Sequence, residues 1–204
     1  MQTRRVLYVG TVGMAVWMSE DLGRSWTRPR SHAGLYVEAS VWALSHHPAD
    51  PDHILAGTDR GLFQWSESGK AWQPIASPMD DRRFAIWSIA RHPTSPDRIL
   101  VGTQRGRIFH TQDGGRHCEE FGADIAHTTD FTAFETRVTR VRFDPDDDRT
   151  WWASIEADEI RVTRDAGRTW QRVNQGFNNP DIHDIAVLRG ARGQRYLAAT
   201  SAYG

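Results

Sequence analysis

Three acidic side chains, Glu38, Asp81 and Glu135, and two arginines, Arg83 and Arg137, fall just ahead of or at the start of short apolar runs. Two carboxyl groups flanking a scissile bond, one protonated and one ionised, can cleave a glycosidic linkage. An arginine can hold a substrate carboxylate through two parallel hydrogen bonds. His183, Trp42 and Trp87 belong to the runs themselves and would give a ligand a polar contact and two aromatic platforms. Each has an ordinary reading too. Loop carboxylates and arginines are commonly just solvated, and aromatics at repeated positions commonly pack in a core.

Other reactive residue types point to less. His46, His47 and His53 crowd the stretch HHPADPDH, but the parallel stretch RHPTSPDR carries Arg at two of those three places. The repeat thus explains the segment as a turn, and no metal site is expected. Cys118 is the single cysteine, which excludes an internal disulfide and a cysteine-rich zinc site. No glycine-rich phosphate loop follows a strand and opens a helix, so no cofactor is expected. With 25 basic against 26 acidic residues, neither nucleic acid nor a membrane surface is an expected partner.

A repeat must position these groups. SEDLGRSW (19–26), WSESGKAW (65–72), TQDGGRHC (111–118) and TRDAGRTW (163–170) align. Their last residues, Trp26, Trp72, Cys118 and Trp170, lie 46, 46 and 52 positions apart (26 to 72, 72 to 118, 118 to 170). Upstream recur LYVGT, ILAGT, ILVGT, WWASI and YLAAT, and ahead of those VWALSHHP, IWSIARHP, VTRVRFDP and IHDIAVLR. No window sustains a helical apolar period, and Pro or Gly interrupts every candidate. Four short β-type runs per roughly 45 residues make the blade of a β-propeller.

The boxed segments resemble the Asp-box, or BNR repeat, Ser-x-Asp-x-Gly-x-Thr-Trp. That repeat is found in sialidase-like, VPS10-like and photosystem II stability factor-like propellers. Ser19, Asp21, Gly23, Ser25 and Trp26 match it closely, as do Thr163, Asp165, Gly167, Thr169 and Trp170. The second copy has Glu67 in the Asp place and Ala71 in the Thr place; the third keeps Asp113 and Gly115 but ends in His117 and Cys118. The Asp should accept backbone N–H groups two residues on. Gly should supply a positive φ. Trp26, Trp72 and Trp170 should fold over their blades, with Cys118 a smaller apolar filler. The resemblance implies boxes between third and fourth strands, away from any active site. Asp21, Glu67, Asp113 and Asp165 are therefore expected to be structural.

The expected architecture is all-β: one repeat domain over 1–204, with units at about 1–30, 38–77, 84–122, 136–174 and 180–204. The first unit lacks an inner strand and the last is incomplete, which reads as an incomplete (half) propeller of four to five blades. Closure by 182–189 would leave 195–201 without a blade. An open arc, associating through its edges or lacking a C-terminal half, is preferred. The opening residues show no signal-peptide pattern, so a cytoplasmic protein without a membrane anchor is expected.

In such propellers the connections into the inner strands, here 27–40, 73–85, 119–137 and 171–181, share a face with the turns between second and third strands. The third is the one clear insertion. Function is expected on that face: recognition of a protein partner or a glycan-like small molecule by a binding or assembly scaffold. The alternative is a sialidase-like glycoside hydrolase, with Glu38, Asp81 and Glu135 as catalytic candidates and Arg83, Arg137, His183, Trp42 and Trp87 as ligand contacts. The Arg-Ile-Pro type motif of sialidases is absent from the sequence.

Overall fold

The runs ILAGT, ILVGT and WWASI are too short for helices and too continuously apolar for half-solvated strands, and they form the buried second strands of three sheets. The computed structural model describes residues 5–28, 34–76, 84–122, 124–126, 128–129, 132–176, 179–191 and 194–201. They fall into two compact units, Met1–Ile86 and Trp87–Gly204.

The first unit holds β1 (Leu7–Gly10) paired with β2 (Val16–Ser19), and the antiparallel sheet β3 (Val41–His47), β4 (Asp50–Thr58), β5 (Gly61–Ser66) and β6 (Ala71–Pro74). The next sheet begins at Ile86, the last residue of that unit, and runs β7 (Ile86–His92), β8 (Ser95–Thr103), β9 (Ile108–Thr111) and β10 (Glu119–Phe121). The second unit adds the hairpin β11 (Thr128–Thr129) and β12 (Thr132–Glu135) within the expected 119–137 connection. It also holds the sheet β13 (Val138–Phe143), β14 (Trp151–Ile155), β15 (Glu159–Thr163) and β16 (Gln171–Arg172), then the pair β17 (Ile182–Arg189) and β18 (Arg195–Ser201). Each four-stranded sheet is a meander in chain order, the architecture of a propeller blade. Ile54–Thr58 and Ile99–Thr103 are buried throughout, while the fourth strands β10 and β16 are largely exposed. Among the described residues no helix is long and apolar enough to cross a membrane.

The glycines of β1, β4 and β8 mark close approaches; β14 and β18 have none. A Cβ on Gly10 would lie 2.7 Å from Val41 Cγ1, and one on Gly57 2.5 Å from Ile86 Cγ2. In the second unit a Cβ on Gly102 would lie 2.5 Å from Val138 Cγ1. Each partner opens, in sequence, the next inner strand. The turns after the inner strands also repeat. His47 Nδ1 accepts from Ala49 N–H (3.1 Å), His92 Nδ1 from Thr94 N–H (3.3 Å) and Asp144 Oδ1 from Asp146 N–H (3.0 Å). The histidines beside Pro48 and Pro93 thus do the turn-closing work ordinarily given to Asp or Asn.

Three of the four boxed segments share one hydrogen-bond pattern, and it differs from expectation in register. The Asp accepts the amide four residues on, not two: Ser25 to Asp21 (2.9 Å), His117 to Asp113 (3.0 Å) and Thr169 to Asp165 (2.9 Å). Ser19, Thr111 and Thr163 donate to the same carboxylates and accept from Gly23, Gly115 and Gly167. Two consecutive residues at positive φ, such as Ala166 (60°) and Gly167 (92°), widen the turn enough for that longer reach.

The second box departs further. Glu67 does not take the Asp role. Ser66 sits only three residues before Gly69, whose amide it accepts at 3.0 Å, so the turn is one residue shorter. Its carboxylate comes from Asp52 on β4, which accepts Ser68 N–H (2.8 Å), Ser68 Oγ–H (2.9 Å) and Ser66 Oγ–H (3.1 Å). Glu67 instead accepts from Tyr8 Oη, Trp65 Nε1 and Lys70. Burial opposes its charge, but the Lys70 and Trp65 bonds outweigh it and hold the carboxyl down to about 2.

The box tryptophans also diverge. Trp72 is 3% exposed and packs on Trp65 at 5.5 Å, and Trp170 is half-buried against the core around Trp151. Trp26, expected to fill space like the others, is 38% exposed. Cys118 is half-buried, with Sγ 3.7 Å from Gly115 O.

Candidate functional site

The repeated place occupied by Trp42, Thr139 and His183 is a β-bulge. The ladder skips a residue between Val41 and Ala43, between Val138 and Arg140, and between Ile182 and Asp184. An extra residue in one strand re-aims its side chain away from the pleat. Trp42 and Trp87 are both half-buried, and His183 is exposed.

The turns between second and third strands lie beside the entries to inner strands, as expected of one face. In the first unit Asp59 N–H donates to Ser40 O (3.1 Å). In the second, Gly106 N–H donates to Thr136 O (3.1 Å), Glu156 N–H to Arg137 O (2.9 Å) and Glu159 N–H to Pro180 O (3.1 Å).

In the second unit the candidate charges pair with residues outside the candidate set. Glu135 meets Arg105 at 2.8 Å. Arg137 Nη1 donates to both oxygens of Glu156 (3.2 and 3.1 Å), and its Cζ stacks 4.5 Å from the centre of the Trp87 ring. Arg140 makes a two-point pair with Asp184 (2.6 and 3.0 Å). His183 Nε2 lies 3.1 Å from Asp181 Oδ1, and Asp181 is 5% exposed. Glu38 is exposed in the first unit. Asp81 and Arg83 lie outside the described residues.

A tyrosine–acid pair stands in the first unit where none was expected. Tyr36 donates its hydroxyl to Asp59, which also accepts Ser40 N–H at 3.0 Å, and Arg60 Cζ sits 4.0 Å over the Tyr36 ring. Burial, then the bond to Asp59, raises the phenol above its ordinary range, so it stays protonated at neutral pH. Asp59, Arg105 and Glu156 were not anticipated. A usable signal existed for two of them: TDRG (58–61) and TQRG (103–106) repeat in the second-to-third hairpins. A groove of about 730 Å³ in the first unit is lined by Tyr8, Leu44, His46, Ile54 and Glu67 among others, and none of the candidate catalytic or ligand residues line it.

No protein-family model and no curated protein matches the sequence. Solved structures do superpose on the chain, and the GH74 enzymes, the BT4673 extracellular domains and YCF48 among them are β-propeller folds. An ancestral GH74 enzyme superposes with a TM-score of 0.70 at 21% identity, over 97% of this chain and 26% of its own. The extracellular domain of the one-component system BT4673 from B. thetaiotaomicron gives 0.69 at 14% identity, over 95% and 25%. YCF48 from Cyanidioschyzon merolae gives 0.60 at 18% over 94% and 61%, and YCF48 bound to D1 peptide gives 0.60 at 15% over 91% and 55%. The chain spans about a quarter of the length of the first two. The chain has the propeller fold in common with them.

Proposed function

We propose that this chain is a propeller scaffold of the Asp-box type that recognises a protein partner on the face carrying the inner-strand entries and the second-to-third turns. The observation that carries the reading is the pairing of the polar groups there. In the second unit Glu135 is held by Arg105, and Arg137 by Glu156 and Trp87; in the first unit, taken by itself, Tyr36 is bonded to Asp59. A general acid must be free to give up its proton to a leaving group, whereas fixed pairs of alternating charge form a rigid, polar recognition surface. The shared bonding of the boxes at Asp21, Asp113 and Asp165 supports the Asp-box assignment, and a peptide-bound YCF48 shows that a similar fold can take a peptide. Self-association is part of the same proposal. Among the described residues β1 pairs with β2 only, and it exposes Leu7 (40%) and Val9 (42%) beside its open edge.

The test uses the full chain against a peptide array and against fluorogenic β-glucoside and sialoside substrates. Capture of defined peptides, weakened by Glu38→Lys with the melting temperature unchanged, is expected. Glycoside turnover abolished by Glu135→Gln would overturn the scaffold reading in favour of a sialidase-like hydrolase.

A further inference from the structure

We infer that Glu156, Asp181 and His183 form a binding site for a divalent transition-metal ion, Zn2+ by the chemistry of the donors. One ligand atom from each lies within 4.8 Å of the other two. Glu156 belongs to the turn after β14, Asp181 directly precedes β17, and His183 is the bulge residue of β17, so three separate backbone features converge. The bulge aims the imidazole out of the ladder, and the Nε2–Asp181 Oδ1 distance is 3.1 Å. Two donors each about 2.1 Å from one tetrahedral metal stand about 3.4 Å apart, so a shift of a few tenths of an ångström would seat an ion between them.

The second observation is Asp181 itself. Its side chain is 7% exposed, and its Oδ1 accepts no hydrogen bond although it points at this cluster. The approach of His183 Nε2 lacks hydrogen-bond geometry. A buried carboxylate oxygen without a donor is costly unless a cation meets it. Arg137 neutralises Glu156, and each of its oxygens retains a free lone pair for a metal. One imidazole with two carboxylates suits a borderline ion such as Zn2+ better than Mg2+ or Ca2+, which favour oxygen alone. Three protein donors leave a coordination position open, and His183, 45% exposed, sits on the solvent side.

Metal-stripped full-length protein is titrated with ZnCl2 by calorimetry near pH 7.5, with thermal melts alongside. The wild type should bind one equivalent and melt higher with Zn2+. His183→Ala, a change at an exposed position that leaves the fold intact, should weaken that event at least about tenfold, the least that loss of even an outer supporting partner costs a metal site. Asp181→Asn should do the same. The double variant His46→Ala/His53→Ala, which removes the other histidine cluster, should bind like the wild type. Equal binding by the wild type and His183→Ala, or no Zn2+ uptake by the wild type, would overturn the assignment.

Discussion

Alanine at Gly102 tests the idea that the second-strand glycines set how closely the next inner strand can pack. The new Cβ would stand 2.3 Å from Ser88 Oγ, 2.5 Å from Val138 Cγ1 and 2.8 Å from Val138 Cβ. Gly102 has no positive φ, so the alanine backbone is allowed. By itself that change would stabilise by about 0.4–1 kcal/mol through the unfolded chain. The contacts act the other way. Ser88 and Val138 are both 0% exposed, and Ser88 Oγ donates to Val138 O at 2.8 Å. Moving the hydroxyl aside forfeits about 0.5–1.5 kcal/mol, and overpacking of this kind costs about 1–3 kcal/mol. The net expectation is a loss of about 0.5–4 kcal/mol, near 2–4 °C of melting temperature per kcal/mol in a chain of this size. Urea unfolding followed by far-UV circular dichroism reads it as a lower midpoint at unchanged slope. Val138→Ala removes the clashing methyl, so the double variant should lose less than the two single losses together. If Gly102→Ala is as stable as the wild type, or if the two changes simply add, the spacing argument is wrong.

Three further outcomes follow from the titrating groups. Hydrogen bonds from Ser25 hold Asp21 down to about 2, and those from Thr169 do the same for Asp165. A depressed carboxyl stabilises fully above its unfolded value near 4 and less as pH falls towards 2; Asp165→Asn should flatten that part of the stability curve, and an unchanged acid slope would refute the role. Burial, then the charges of Arg98 and His92, lowers His110 from 6.5 to about 4. Between those values the unfolded chain takes up a proton that the fold refuses, so stability falls as pH drops from about 6.5 to 4. His110→Phe should remove this drop while keeping a ring against Trp151, 4.5 Å away in the wild type; a wild-type slope in the variant would contradict it. Burial, then the charge of Asp113, pushes the Cys118 thiol up to about 11. About one thiol in a thousand is then ionised at pH 8, and iodoacetamide should label the native protein far more slowly than the urea-unfolded one.

The repeat was legible because most units solve the same packing problem with the same letters: an apolar run, with its glycine at 10, 57 and 102, a proline turn and a boxed turn. Register inside the turns was not legible. Whether an Asp reaches two or four residues on depends on the paired positive-φ residues, and Leu22 (61°) and Ala166 (60°) carry no sequence mark for them. The repeated place of Trp42, Thr139 and His183 was visible, but the bulge that re-aims it belongs to the ladder between strands. In the sequence the insertion at 119–137 reads as a connection and not as a β-hairpin, since TT and TAFE are too short to declare strands. At the candidate site the sequence supplied Glu135, Arg137 and His183. Glu156, the partner of Arg137, is brought in by tertiary structure from nineteen positions away and leaves no periodic trace, whereas Asp181 is a near neighbour of His183 and Arg105 recurs as Arg60 in the matching hairpin.

The shortened turn at 66–72 has a consequence for how such repeats drift. Because Asp52 supplies the anion from the adjacent strand, the third letter of this box has no such duty to perform. Glu67 has another, anchoring Tyr8 and Trp65. Shape and spelling thereby come apart: a blade can lose its signature and keep its hairpin, because the missing charge is lent from across the ladder. Searches that count letters will overlook such blades. The residue whose removal would unfasten this hairpin is Asp52, fourteen positions before the motif it serves (52 to 66).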